Sequence, residues 1–264
     1  MYRADIPARR GKPPRTSPLY RKEGKKMYSK ESLKKLNAHF AAAISRYGAY
    51  DVSGIKACIS AGNRKIGRVM NVSLPPVLTC HNCKECKHFC YDIKACLQYS
   101  NTVVDARIRN YMILKKDRDE YFRRIDAAMN RRRKNKFFRW HVAGDSVDAD
   151  YFRRMVENAR RHPDFIIWTY TKNYSVVNEF VAENGGNRRV AIPANFIVMF
   201  SEWDGMPLVN PYDFPVFTCK LKNGNKNHPV EYFAALYRCP GNCDACKAAR
   251  RGCIGGESTY CDEH

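Results

Sequence analysis

The sequence lacks several features that would assign it to a familiar class. No apolar run approaches the roughly 20 residues that a membrane-spanning helix needs. The first 15 residues contain no apolar segment of the kind found in secretory signals. The phosphate-binding pattern G-x-x-x-x-G-K-[ST] is missing, and no Ser–His–Asp or paired-carboxylate set stands out. We therefore expect a cytoplasmic protein without a membrane span and without a P-loop nucleotide site.

Acidic residues are scarce, with 26 Asp and Glu against 47 Lys and Arg, which gives a net charge of +21. The excess is concentrated in residues 1–36, with 12 basic and 3 acidic side chains, and in residues 106–139, with 13 and 4. Such clustering favours a polyanionic partner over a uniformly solvated surface. We predict nucleic-acid contact, with DNA and RNA not distinguished, by Arg131, Arg132, Arg133 and Lys134. The alternative is a basic tail and a solvated helix face.

Cysteine, in contrast, is abundant and clustered. Five of the twelve cysteines lie between positions 80 and 96, and five lie between 239 and 261. A chain of 264 residues buries enough surface to fold without a disulfide scaffold. Since no export signal is visible, we expect a reducing compartment, in which thiols stay free or bind metal.

The first cluster forms a predicted metal-binding loop at residues 80–96. Its spacing, C-x2-C-x2-C-x3-C, is that of the cysteine run in bacterial ferredoxins, and it comprises Cys80, Cys83, Cys86 and Cys90. Thiolates are soft ligands that select iron–sulfur clusters or zinc over hard cations. In a zinc site, His81 or His88 could replace one thiolate.

The second cluster lies in the C-terminal tail, residues 238–264. Its spacing, C-x3-C-x2-C-x6-C, comprises Cys239, Cys243, Cys246 and Cys253. Four thiolates close a structural site, and spacing alone does not separate zinc from a second iron–sulfur cluster. The sequence therefore predicts one or two metal centres.

The order of predicted elements indicates an α/β protein. Residues 1–28 are rich in proline and basic side chains and predict a flexible arm, whereas residues 29–237 form the predicted core. Within the core, strands at 69–74, 137–142, 165–171, 196–201 and 216–219 follow or alternate with helices at 29–47, 101–115, 117–129, 148–162 and 175–183. Alternation of this kind predicts about six parallel strands in a partial barrel or an open sheet.

Polar residues follow three of these strands. Gly144 and Asp145 follow the second, Lys172 the third and Ser201 the fourth. Because ligands bind beyond the carboxyl ends of parallel strands, we predict that these four residues bind a cofactor. The competing interpretations are that Asp145 caps the next helix, that Lys172 is an ordinary surface residue, and that His141 is a core histidine.

Several stretches resemble the phage gene product 88 domain family. They are V-S-L-P-P at 72–76 leading to T-C at 79–80, C-x3-C-Y at 86–91, W-H-V-A-G-D at 140–145 with Y-F at 151–152, and W-T-Y-T-K at 168–172. The resemblance covers about residues 65–260. It implies a core similar to a radical S-adenosylmethionine barrel, with early thiols at Cys80, Cys86 and Cys90, and with Cys83 as an extra.

The number of ligands decides what such a centre can do. A [4Fe–4S] cluster held by three thiolates keeps one iron open to S-adenosylmethionine, whereas four thiolates restrict it to electron transfer or structure. The leading hypothesis is an iron–sulfur protein resembling radical S-adenosylmethionine enzymes that acts on or near nucleic acid. The alternative is a zinc-stabilised nucleic-acid-binding protein of phage or prophage origin without catalysis. Substrate, reaction and oligomeric state are left open.

Overall fold

An open, entirely parallel sheet forms the centre of the protein. The computed structural model describes residues 28–63, 66–80, 82–83 and 86–263, so the predicted arm lies outside the described residues except for Tyr28. Seven strands are present in this part of the chain, in the order β1-β2-β3-β4-β5-β7-β6. They are β1 (Met70–Val72), β2 (Phe137–Trp140), β3 (Ile166–Thr171), β4 (Phe196–Ser201), β5 (Val216–Lys220), β6 (Tyr237–Arg238) and β7 (Thr259–Asp262).

Eight α-helices accompany the strands in the described residues. They are α1 (Lys30–Gly48), α2 (Tyr91–Gln98), α3 (Asp105–Lys116), α4 (Arg118–Asn130), α5 (Ala149–Arg161), α6 (Tyr174–Glu183), α7 (Arg188–Ala191) and α8 (Cys243–Ala249). Helices α4 and α5 begin at capping residues, because the side chains of Asp117 and Asp148 accept hydrogen bonds from N–H groups in the first turn. No helix in this part of the chain is both long and apolar enough to cross a bilayer.

The two faces of the sheet are covered by different parts of the chain. Helices α1–α6 pack on one face, where aromatic residues such as Trp140, Phe152 and Phe200 are fully buried. On the opposite face, Trp168 packs with Ile66, Val69, Cys246 and Ile254. The second face is therefore covered by the segment before β1 and by the cysteine-rich tail.

The sequence-based fold prediction needs one correction. The α/β class and the parallel sheet are confirmed, and of the two predicted arrangements the sheet is the open one, but it has seven strands rather than about six. The unpredicted strands β6 and β7 have two and four residues and lie among the tail cysteines, too short to show a strand pattern. Because β7 pairs with β5 and with β6, the tail is part of the sheet.

Replacing Asp148 with alanine is expected to destabilise the protein by about 1–2 kcal/mol, because α5 loses its N-terminal cap. Asp148 accepts from the Tyr151 N–H at 2.8 Å and pairs with Arg118 at 2.7 Å. Asp148→Asn keeps an acceptor for the cap and loses only a partly exposed ion pair, so it should retain most of the stability. Urea unfolding of both variants measures the difference. Equal losses would show that the cap contributes nothing.

Candidate metal and ligand site at the carboxyl ends of the strands

The first cysteine loop lies where β1 ends, beside the ends of β2 and β3. Pro75 and Pro76 stop β1, because proline donates no backbone hydrogen bond to a neighbouring strand. The loop is tied down on two sides. Asn82 Nδ2 donates to the Lys172 carbonyl at 2.5 Å, and the Tyr91 hydroxyl donates to the Val142 carbonyl. The loop is thus attached to the strand ends that the sequence predicted to form a ligand site.

Gly144 determines how closely the loop approaches the sheet. Its φ of +83° lies in the left-handed region, and a Cβ there would stand 2.7 Å from Leu74 Cβ and 2.8 Å from Thr79 Oγ1. Leu74 and Thr79 belong to the segment that leads from β1 to Cys80. Gly144 therefore positions the cysteine loop by close packing, and the structure places it against protein atoms.

The four thiols of the first loop are neighbours. Cys83 Sγ lies 3.9 Å from Cys86 Sγ, and hydrogen bonds with Cys80 and Cys86 raise the pKa of Cys83. Burial raises the pKa of Cys90 to about 12, and the Cys80 thiol acts in the same direction. The hydrogen bond with Cys83 lowers the pKa of Cys86 to about 7, and the positive charge of Lys172 contributes to this shift.

The donor set is therefore one of soft sulfur atoms from a single short loop. Its chemistry fits a thiolate-bound metal. In the described ranges, however, no group of three His, Cys, Asp or Glu side chains has an arrangement that could hold a metal ion. His81 lies outside the described residues.

Asp145 and Lys172 are joined by hydrogen bonds. Asp145 is buried, and burial raises its pKa. One of its carboxylate oxygens accepts from the Ser146 N–H at 2.7 Å, and the other accepts from the Lys172 N–H at 2.8 Å. The carboxylate thus connects the loop after β2 to the end of β3. The alternative prediction that Asp145 caps α5 is wrong, because Asp148 occupies that position.

The side chain of Lys172 extends to the end of β4. Its ammonium group donates to Ser201 Oγ at 2.6 Å, and the Tyr174 hydroxyl donates to the Ser201 carbonyl at 2.7 Å. Tyr174 also lies within electrostatic range of Cys86 and Asp145. The structure therefore brings Asp145, Lys172, Ser201 and the cysteine loop together, as the sequence predicted.

The buried residue Glu202 and the partly buried His228 form a pair that adjoins this network, and His228 was missed in the sequence. Both carboxylate oxygens of Glu202 lie 2.8 Å from His228 Nε2, and the His228 ring stacks on Tyr232 at 3.6 Å. Burial and Glu202 raise the pKa of Tyr232. Glu202 follows Ser201, so the pair lies next to the lysine contact. His228 belongs to a polar loop without any periodic pattern, and no local signal assigns it to this site.

The tail cysteines form a second set. Cys239 lies within electrostatic range of Cys243, Cys246 and Cys253. Cys246 packs on the second face of the sheet, among Trp168 and Ile254. The spacing-based prediction of two cysteine sets thus corresponds to two separate groups of thiols in space.

The basic run lies away from the cysteine loop. Residues 131–134 connect α4 to the start of β2, at the amino ends of the strands, whereas the cysteine loop follows the carboxyl end of β1. Arg131 and Arg132 line a groove of about 720 Å³ together with Lys56, Arg123 and Arg124. The predicted nucleic-acid contact and the predicted metal site of the first loop therefore lie at different edges of the sheet.

Comparison with protein families finds a match in this chain. The family described as gene product 88 matches residues 33–207, which is more than half of the sequence. No curated protein matches the chain, and no solved structure does.

The packing role of Gly144 predicts a large effect of Gly144→Ala. A left-handed alanine costs about 1–2 kcal/mol, and the overlap with Leu74 and Thr79 adds about 1–3 kcal/mol. Gly185→Ala is the matched control, because Gly185 has a φ of +90° but a Cβ added there would meet nothing within 4 Å. Urea unfolding should show the larger loss for Gly144→Ala. Equal losses would contradict the packing role.

His141 is a core histidine, since it is buried and its Nε2 lies 2.9 Å from the Tyr151 hydroxyl. Burial lowers its pKa to about 3, and Arg139 acts in the same direction. An unfolded histidine titrates near 6.5, so below that pH the unfolded chain binds a proton that the folded protein excludes. The free energy of unfolding should therefore fall towards pH 3 by up to about 1.4 kcal/mol per pH unit.

The variant His141→Asn tests this dependence, because asparagine tolerates the left-handed φ of +52° at this position. Its stability, measured by urea unfolding between pH 7 and 4, should decline less steeply than that of the natural protein. Parallel curves would show that His141 does not contribute.

Proposed function

The chain belongs to the gene product 88 family, and we propose that it is an iron–sulfur protein in which Cys80, Cys86 and Cys90 bind a [4Fe–4S] cluster. The observation that supports this most directly is the position of Cys86, within electrostatic range of Lys172 and Asp145 at the strand ends. Ligand crevices of parallel sheets lie at this edge. A centre with only a structural role has no need of a neighbouring charged crevice.

The residues around the loop suit a small ligand that carries a carboxylate. When bound, a cluster with three thiolates supplies one-electron chemistry and an open iron. Lys172 offers a positive charge whose hydrogen-bond partner is the neutral Ser201 hydroxyl. Asp145 already accepts two backbone hydrogen bonds and holds Lys172 in place. We propose S-adenosylmethionine as the ligand, with Lys172 pairing with its carboxylate and Asp145 in a positioning role.

A second candidate, a zinc-stabilised protein without catalysis, is favoured by one distance. Zinc–sulfur bonds of about 2.3 Å in a tetrahedral site place two sulfurs about 3.8 Å apart. Cys83 Sγ and Cys86 Sγ lie 3.9 Å apart. In a [4Fe–4S] cluster each thiolate binds its own iron, which separates the sulfurs further. The two candidates therefore differ in what Cys83 does.

The variants Cys83→Ser and Cys86→Ser separate the two candidates. For the iron–sulfur protein, anaerobically reconstituted Cys83→Ser should keep its iron and sulfide, whereas Cys86→Ser should lose both. For the zinc protein, both variants should lose one zinc. Elemental analysis and electron paramagnetic resonance of the reduced protein provide the measurement. Zinc without iron in the natural protein, even after anaerobic reconstitution, would overturn the iron–sulfur proposal.

Addition of S-adenosylmethionine is expected to change the paramagnetic signal of the reduced cluster. Lys172→Met should raise the concentration needed for this change by about tenfold or more, because a charge-assisted contact is lost. Lys222→Met, at an exposed lysine on the same side of the sheet, is the control. A signal that S-adenosylmethionine leaves unchanged would contradict ligand binding and leave an electron carrier.

For the nucleic-acid partner, we propose that the groove at the amino ends of the strands contacts phosphates. Five cationic side chains line it, and no carboxylate lines it among the described residues. Arg123 and Arg124 share Glu120, whereas no ion pair of Lys56, Arg131 or Arg132 occurs in this part of the chain. By contrast, Arg118 of α4 and Arg154 of α5 are paired with carboxylates. The groove thus keeps positive charge available.

The combined variant Arg131→Gln and Arg132→Gln should weaken binding to nucleic acid. Each lost phosphate contact should reduce the slope of log affinity against log salt by about 0.9 for duplex DNA. The combined variant Lys222→Gln and Lys226→Gln removes the same charge from the opposite edge and should change the slope less. Fluorescence anisotropy between 50 and 200 mM salt measures both. Equal slopes would contradict the groove as a contact surface.

A further inference from the structure

The tail cysteines lie on the face of the sheet that helices α1–α6 leave uncovered. Cys239 follows β6, Cys243 and Cys246 belong to α8, and Cys253 lies in the 3-10 turn Gly252–Gly255 that contacts β3 and β4. Cys246 and Cys253 are buried, with 7% and 9% exposure. Four thiols from 15 residues of chain thus gather between the tail and the sheet.

Two tyrosine hydroxyls are directed at these thiols. Tyr170 of β3 hydrogen-bonds with Cys253, and Tyr237 of β6 hydrogen-bonds with Cys246. Metal-bound thiolates are commonly supported by neighbouring hydrogen-bond donors of this kind. Two hydroxyl groups are therefore in place to support a metal-bound state of the tail.

Arg139 supplies the second, independent observation. Its guanidinium lies 4.6 Å from the centre of the Tyr170 ring, and its buried Nε has no hydrogen-bond partner among the described residues. No carboxylate forms an ion pair with Arg139 in the described ranges, and the titratable groups around it include Cys243 and Cys253. A largely buried cation is costly unless an anion balances it. The titratable groups around Arg139 include Tyr170 and Tyr91 as well as the two cysteines, and of these the thiols become anions most readily.

Lys247 does not fill the same role. It also lies near Cys243, but its ammonium group pairs with Asp244. Arg139 is therefore a largely buried cation that has no carboxylate partner among the described residues. One Zn²⁺ with four thiolates carries a net charge of −2 and would supply the negative charge that Arg139 lacks.

We propose that Cys239, Cys243, Cys246 and Cys253 bind one Zn²⁺, that Arg139 balances its charge, and that the bound ion fixes the tail across the second face of the sheet. This site is separate from the first cysteine loop, so it goes beyond the proposed function. Binding draws the four sulfurs together onto one ion. Arg139 and Tyr170 act through the thiolates and are positioning residues.

Zinc analysis of the full chain tests the assignment. Cys253→Ser should hold one zinc fewer per chain than the natural protein. Cys58→Ser is the matched control, because Cys58 stands apart from both sets and only its backbone atoms bond to Asn110. An unchanged zinc content in Cys253→Ser, or iron in place of zinc at the tail, would overturn the proposal. Absence of iron at the first loop would overturn only the iron–sulfur function.

The role of Arg139 is tested by the rate at which a chromogenic chelator removes zinc. Arg139→Gln should release the tail zinc about 10–100-fold faster, in line with other losses of supporting contacts around metal ligands. Arg139→Lys keeps the charge and should restore much of the slower rate. Release at the natural rate from Arg139→Gln would contradict the charge-balancing role.

Limited trypsin digestion of the natural protein tests whether the bound zinc holds the tail in place. This experiment does not depend on the folding of any variant. Removal of zinc should accelerate cleavage after Lys247, Arg250 and Arg251, because α8 and the following turn lose their attachment to the sheet. Re-addition of zinc should restore protection. Cleavage that is unaffected by zinc would overturn the proposal that the ion holds the tail in place.

Discussion

Parallel pairing of β1 to β4 is the constraint on which the candidate site depends. Parallel strands end at one edge of a sheet, so residues that follow strands far apart in the sequence become neighbours there. The pairing of Asn71 with Arg139 and of Thr171 with Phe200 sets the register. It brings the loop after β1, Asp145, Lys172 and Ser201 to the same edge. Without that register, the hydrogen bonds from Lys172 to Asp145 and Ser201 could not form.

The two faces of the sheet have different chemistry for the same reason. Side chains alternate along each strand, so Phe138 and Trp140 point to the helices while Phe137 and Arg139 point to the tail. A helix layer needs only apolar residues to cover a sheet. The tail is short, has few apolar residues and contains five cysteines, and the sheet presents a cation and a tyrosine hydroxyl to it. The metal ion that we propose for the tail would offer this segment the stability that its small apolar surface does not provide.

The two regions linked to function lie at opposite edges of the sheet. The basic run precedes β2, and the cysteine loop follows β1. Phosphates bound in the groove of Arg131 and Arg132 would therefore lie at the amino ends of the strands, away from Lys172. In our proposal the groove attaches to a nucleic acid and the crevice at the carboxyl ends binds a small ligand. The structure thus separates the two candidate regions, which the sequence could only place in the same chain.

Local information was sufficient for much of the fold. The sequence alone determined the strand–helix alternation, the caps at Asp117 and Asp148, and the grouping of the cysteines, because each depends on residues within a few positions of one another. Tertiary structure alone decided the rest. It placed β7 between β5 and β6, joined Glu202 to His228 across 26 residues, and set Arg139 beneath the tail. Such contacts depend on strand order and register, and these arise from packing between segments that are distant in the chain.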